Sequence, residues 1–213
     1  MDSVSMKYKE VHEEFRLKNI DTIKHNIQTK AYFIGNVDIK QLIIDSIKNS
    51  YPDGLIQLIQ AGYRINVIDE DGTTALEKAF LQVMSEQSAY EKYEIDHIND
   101  SEEIVKILIR NGAKINTRLS DGDTPFGFAM HIKNYEIQKI LIEYGFDPNS
   151  TNTNGVPVLV RAISYDDYEA VDLLLNAGAN PNVVCGNRRP LYHARSENKQ
   201  RIVNLLLRYR ARE

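Results

Sequence analysis

Absences narrow this chain first. One cysteine in 213 residues, Cys185, has no partner for an internal disulfide and fits a reducing compartment. No apolar run reaches the length of a membrane span, and the opening MDSVSMKYKEVHEEF is too polar and acidic for a signal peptide. Neither sign of charge dominates. The 26 Lys and Arg face 30 Asp and Glu, a net charge of -4, so the overall balance does not call for nucleic acid. The five histidines (His12, His25, His97, His131, His193) and Cys185 show no HxxxH or CxxC spacing, which removes the common metal sites. There is no GxxxxGK phosphate loop and no GxSxG nucleophile turn. VIDEDGTTALEK imitates a calcium loop, but its first ligand position holds Val67 and its last holds Lys78 where a glutamate is required. The expectation is a soluble cytoplasmic protein with no catalytic residues, no metal and no cofactor.

What is present is repetition. IQAGYRIN (Ile59–Asn66), IRNGAKIN (Ile109–Asn116), IEYGFDPN (Ile142–Asn149) and LNAGANPN (Leu175–Asn182) echo one another after helix-like apolar runs. Their glycines are Gly62, Gly112, Gly145 and Gly178, with steps 112 − 62 = 50, 145 − 112 = 33 and 178 − 145 = 33. A small residue stands 16 positions earlier at Ser46, Ala129 and Ala162, and Ala194 has the same offset from Arg210. Ala79 precedes its glycine, Gly112, by 33 instead, so that unit carries 33 − 16 = 17 extra residues. A fixed period of this size marks a repeat array.

Each unit follows the same internal order. A polar turn (DEDGTTA, LSDGDTPF, TNTNGVPV) leads into a short helix, with proline at its first turn in most copies. A second helix follows, with apolar residues at helical spacing; Ser101, Asn134 and Asp167 are its N-cap candidates. Glycine then supplies the left-handed residue that ends it. The recurring small residue lets two helices approach closely. No unit could bury its apolar face alone.

These units resemble ankyrin repeats, whose pattern runs DGxTPLHxAA, IVxLLL and GAxxN. Residues 120 to 149 carry the resemblance best, through Asp121, Gly122, Thr124, Pro125, Ala129, Ile137, Leu141, Gly145 and Asn149. Asp71, Gly72, Thr74, Leu76 and Ala79 match earlier, and Ile202 with Leu205 to Leu207 later. The histidine of the family motif is replaced by Glu77, Gly127, Val160 and Tyr192. That histidine pins neighbouring turns together, so the resemblance implies less rigid turns here. It also implies that Asn66, Asn116, Asn149 and Asn182 brace their turns by hydrogen bonds. The fold expected is an all-α solenoid of about five repeats with short hairpin tips. Residues 1–34 form a degenerate helical cap with two helical patterns. Repeats follow at about 35–67, 68–117 with the 17-residue insertion, 118–150, 151–183 and 184–213, the last a polar C-terminal cap. Both ends are expected to be closed, making the array complete.

The resemblance further implies a non-enzymatic module that binds a partner protein through a concave groove and the turn tips. Mapped onto this chain, the contacting positions are Glu70, Asp71, Thr73 and Leu81; Ser120, Asp123, His131 and Ile132; Thr153, Val156 and Tyr165; and Arg188. The tips are expected to expose Val67, Ile68, Leu119, Val183 and Val184 as an apolar ridge. An adaptor or inhibitor is the leading reading. A stand-alone inhibitor, such as a bacterial immunity protein or a viral host-factor antagonist, is its sharper form. The alternative is nucleic-acid binding through the C-terminus, where eight basic residues from Arg188 to Arg212 face Glu197 and Glu213; a solvated capping face explains them more simply. The expectation is a monomer when free, with no membrane association. The stretch SEQSAYEKYEIDHINDSEE (Ser85–Glu103) holds seven acids and one lysine. It reads as an extension of one helix through Tyr90 or Tyr93, then a loop and a second helix from Ser101, and serves either as decoration or as a partner-contacting arm.

Overall fold

The computed structural model describes residues 3–30, 39–93 and 98–213. The chain divides into two compact units, Met1–Lys114 and Ile115–Glu213. Helices make up the regular structure of both. Among the described residues the only strand-like pairings are isolated antiparallel bridges at the tips: Ile68 with Thr74, Thr151 with Pro157, and Cys185 with Arg188.

The first unit contains α1 (Ser3–Lys30), α2 (Ile39–Lys48), α3 (Pro52–Gln60), α4 (Ala75–Tyr93) and α5 (Ile98–Arg110). The two helical patterns expected at the N-terminus are one helix. Residues 3–30 contain no glycine or proline, so nothing breaks the hydrogen-bond ladder. Ile20 and Ile23 of α1 bury against Tyr51 at the start of α3, with Ile27 beside them. Arg16 fastens the same helix. Its guanidinium donates to Asn49 O (3.1 Å) and Ser50 O (2.9 Å) in the α2–α3 connection and to Asp100 Oδ2 (2.8 Å) in α5.

The insertion lengthens α4 to Tyr93, as its composition implies. α5 begins at Ile98, so Ser101 is a buried residue inside the helix and not its N-cap. Residues 94–97 lie outside the described residues. The acidic stretch is not wholly a solvent-facing arm. Glu86 is buried, accepting from Ser50 Oγ and from Gln82 Nε2 (2.8 Å), and Asp100 is held by Arg16.

The second unit contains α6 (Pro125–His131), α7 (Tyr135–Glu143), α8 (Val158–Ser164), α9 (Tyr168–Asn176), α10 (Pro190–Ser196) and α11 (Gln200–Arg208). The first helices α6, α8 and α10 stack in one row and the second helices α7, α9 and α11 in another, each pair closed on itself. Asn134 and Asp167 cap α7 and α9 as expected, accepting from Ile137 N and Ala170 N at 2.9 Å. The small residues Ser46, Ala79, Ala129, Ala162 and Ala194 are all fully buried, where a larger side chain would push the helices apart.

Every second helix ends alike. The residue after the glycine returns a bond to the helix: Tyr63 to Leu58 O, Ala113 to Leu108 O, Phe146 to Leu141 O, Ala179 to Leu174 O. Arg210 takes the glycine's place in the last repeat at φ +60°, and Ala211 bonds to Leu206 O.

The four asparagines then lock each repeat to the end of the next second helix. Asn66 donates to Gly112 O (2.9 Å) and accepts from Lys114 N (3.0 Å). Asn116 does the same with Gly145 O and Asp147 N, both at 2.8 Å. Asn149 joins Gly178 O (3.3 Å) and Asn180 N (2.8 Å), and Asn182 joins Arg210 O (3.3 Å) and Arg212 N (2.7 Å). The donor bonds span 46, 29, 29 and 28 residues. The first exceeds the next by 46 − 29 = 17, the length of the insertion, so the repeat closes in phase around it.

Replacing Asn116 by alanine removes both bonds of one clasp. Because water reaches the freed groups, the expected loss is about 1 kcal/mol of unfolding free energy in urea titration, with circular dichroism unchanged.

Candidate interaction surface

The turn tips are built from main-chain bonds plus one side-chain acceptor. In the first unit that acceptor is Asp69, whose Oδ1 takes the N–H groups of Asp71 (3.0 Å) and Thr73 (2.9 Å). Its other oxygen lies 2.6 Å from Lys78 Nζ, which is also 3.9 Å from Asp71. The sequence that imitates a calcium loop thus holds an internal ammonium beside its carboxylates. Among the described residues no group of three or more His, Cys, Asp or Glu could hold a metal ion. The hydrogen bond from Lys78 lowers the Asp69 pKa, with the two amides assisting, while burial opposes the shift. In the second unit Asn152 plays the same part, accepting from Asn154 N and Val156 N at 3.0 Å.

The motif histidine has a different substitute. Asp123 and Arg161, on adjacent repeats, form an ion pair with little of either side chain exposed. Arg161 also donates to Tyr165 Oη (2.7 Å) and lies over that ring. Burial works against the charge on Arg161, but the hydrogen bonds from it to Asp123 and Tyr165 prevail and hold its pKa above the usual value. Gly127 makes this possible. A Cβ there would stand 2.2 Å from Asp123 Oδ1, so a side chain at the histidine position would evict the carboxylate. The second-unit turns are joined further by Thr153 N to Gly122 O (2.9 Å) and by Arg118 to Thr151 O (3.2 Å). The looseness expected from losing histidine is therefore offset at this joint.

The positions mapped from sequence divide by exposure. Glu70, Asp71 and Leu81 are exposed on the first unit; Ser120, His131, Thr153, Tyr165 and Arg188 are exposed on the second, with Val156 half-buried. Thr73, Asp123 and Ile132 are buried and offer little to a partner, a departure from their expected place at the surface. Thr73 lies under the tip bonds, Asp123 is committed to Arg161, and Ile132 closes α6 against the core. Leu119 is likewise buried, so the expected apolar ridge loses a member; Ile68 and Val184 are exposed.

Within the second unit, His131 and Tyr165 come together. They line a cleft of about 620 Å³ along the α6–α7 and α8–α9 connections, with Met130, Lys133, Tyr135, Gln138, Asp166, Asp167 and Glu169. The apolar periodicity did not single out Gln138 or Arg161. The signal for Gln138 was available as a polar residue in an otherwise apolar column of the repeat.

The basic C-terminal face is largely occupied. Arg195 pairs with Glu213, Arg189 donates to Glu213 O, and Lys199 pairs with Glu197 and donates to Ile163 O and Ser164 O. Arg188 stacks on Tyr192 (4.1 Å) and Arg201 on Tyr168 (4.7 Å). Such engagement leaves fewer cations to follow a phosphate backbone. No helix among the described residues is long and apolar enough to cross a membrane.

Two outcomes follow for these joints. In a double-mutant cycle of Asp123→Asn and Arg161→Met, the coupling should be about 2 kcal/mol by urea unfolding, and Arg161→Met alone should cost more because it strands a largely buried carboxylate. Asp69 has a depressed folded pKa, so its contribution is complete above the ordinary carboxylate value and fades as pH falls through the folded one. Asp69→Asn should therefore destabilise by about 1 kcal/mol at pH 7, the gap from the parent closing below about pH 4.

Residues 95–185 match the family model for ankyrin repeats, in three copies. No curated protein matches the chain.

Proposed function

Residues 95–185 being ankyrin repeats, we propose that the chain is a non-enzymatic binding module, an adaptor or inhibitor that holds a partner protein. Ankyrin repeats are generally protein–protein interaction modules. One observation carries the reading on this chain. Bonds that hold repeat to repeat include main-chain pairs, the asparagine clasps, the Asp123–Arg161 joint and the contacts of Arg118 and Lys199, while His131 and Tyr165, from successive repeats, are exposed and share one cleft. His131, on which no joint between repeats depends, is thereby presented beside Tyr165, whose hydroxyl steadies Arg161 while much of its ring stays exposed. Leu81, 42% exposed, and the carboxylates Glu70 and Asp71 are the corresponding candidates on the first unit. The pairing of the C-terminal cations supports a protein partner over nucleic acid.

The test uses the full chain as bait, identifies a co-purifying protein, and measures its affinity for surface variants. His131→Glu should weaken binding at least about ten-fold with the urea midpoint little changed, and Tyr165→Ser should weaken it as much while also lowering the midpoint, because it removes a partner of Arg161. Lys139→Glu, on the exposed side of α7, should leave binding within about two-fold. Loss of binding at Lys139 with none at His131 and Tyr165 would move the interface to the second helices and overturn the assignment.

A further inference from the structure

Gln138 breaks a rule that the rest of the array keeps. It stands seven residues before the helix-ending Gly145, since 145 − 138 = 7. The residues at the same offset from Gly62, Gly112, Gly178 and Arg210 are Leu55, Val105, Val171 and Val203, all apolar and buried. Gln138 is just as dry, at 2% exposure. Its Nε2 reaches Ala129 O only at 3.5 Å, and its Oε1 accepts from no protein group. A buried carbonyl without a donor costs stability, and valine at this site would avoid the cost.

Gln138 lines the cleft of the second unit. Around it stand Tyr135 and Tyr165, each about half exposed and Tyr165 with Arg161 over its ring, and the exposed carboxyl groups of Asp166 and Glu169, against Lys133 and His131. An occupant that suits these groups brings an N–H for the glutamine oxygen, a flat face for the tyrosine rings and a positive charge for the carboxylates. Arginine has all three: five donors, a planar group and a permanent charge. Lysine lacks the flat face, and a carboxylate would meet its own sign. The protein already makes this pairing internally, with Arg161 over Tyr165, Arg188 over Tyr192 and Arg201 over Tyr168.

We infer that this cleft receives an arginine side chain projecting from the partner protein, with Gln138 Oε1 accepting one of its N–H groups. The inference rests on the protein-binding reading above, which its own capture experiment tests separately. The probe is the blocked tripeptide acetyl-Gly-Arg-Gly-amide, titrated into the isotope-labelled full chain and followed by nuclear magnetic resonance. Its neutral counterpart carries citrulline in place of arginine. The Gln138 side-chain amide and the backbone amides of Lys133 and Asp166 should shift saturably with the arginine peptide and bind the citrulline peptide at least about five-fold more weakly. Gln138→Val should lower arginine-peptide affinity by about five-fold while its melting temperature stays level or rises. Equal binding of the two peptides, no saturable shift at these amides, or a fall in melting temperature on Gln138→Val would each overturn the inference, the last by showing that the glutamine is bonded for structure. If those results came from a chain that still captured a protein partner, only the arginine pocket would be lost.

Discussion

The asparagine clasp is the interaction on which the rest of the array depends. A helix pair of this size cannot bury its own apolar face, so its stability comes from the next pair. Packing alone fixes distance loosely, because apolar contact has no direction. The clasp adds direction, with one amide giving a donor and an acceptor to two main-chain groups at the end of the following second helix. Because those groups are main-chain, the clasp does not depend on which side chains the neighbouring repeat carries. The left-handed residue at each helix end matters for the same reason. It turns the carbonyl and the N–H toward the asparagine, and Arg210 accepts an uncommon conformation to do so where no glycine is available.

With register secured in this way, the turns are free to vary in chemistry. Three devices serve the turns: in the first unit a carboxylate neutralised by lysine at Asp69, and in the second an amide at Asn152 and an ion pair between repeats at Asp123 and Arg161. Gly127 illustrates how one substitution is read wrongly in isolation. As a residue it is a lost histidine; in the structure it is the space in which Asp123 sits.

The sequence made legible whatever obeys the period. The small residues between helices, the Asn134 and Asp167 caps and the in-phase insertion all follow from counting. What was not legible depends on neighbours that counting does not see. Ser101 looked like a cap because it precedes an apolar run, but the helix begins earlier and draws the residue inside. Thr73, Asp123 and Ile132 occupy positions that vary in such arrays, yet here the tip bonds, Arg161 and the core claim them. α1 looked like two helices, although it holds no glycine or proline to stop one helix from continuing. At the cleft of the second unit, the exposure of His131 and Tyr165 was readable by position. Gln138 was overlooked because a single polar residue in an apolar column weakens a periodic signal instead of announcing itself.

The insertion has a thermodynamic character of its own. Closing the first clasp joins residues 46 apart, where the next joins residues 29 apart. Loop-closure entropy grows only with the logarithm of length, so the difference amounts to about 0.4 kcal/mol. That is less than one clasp contributes. Added chain at this point is almost silent in the equilibrium, because it lies between two helices whose ends are held from elsewhere. The length of this segment is consequently only weakly coupled to stability, while Glu86 and Asp100 within it still hold the helices beside them.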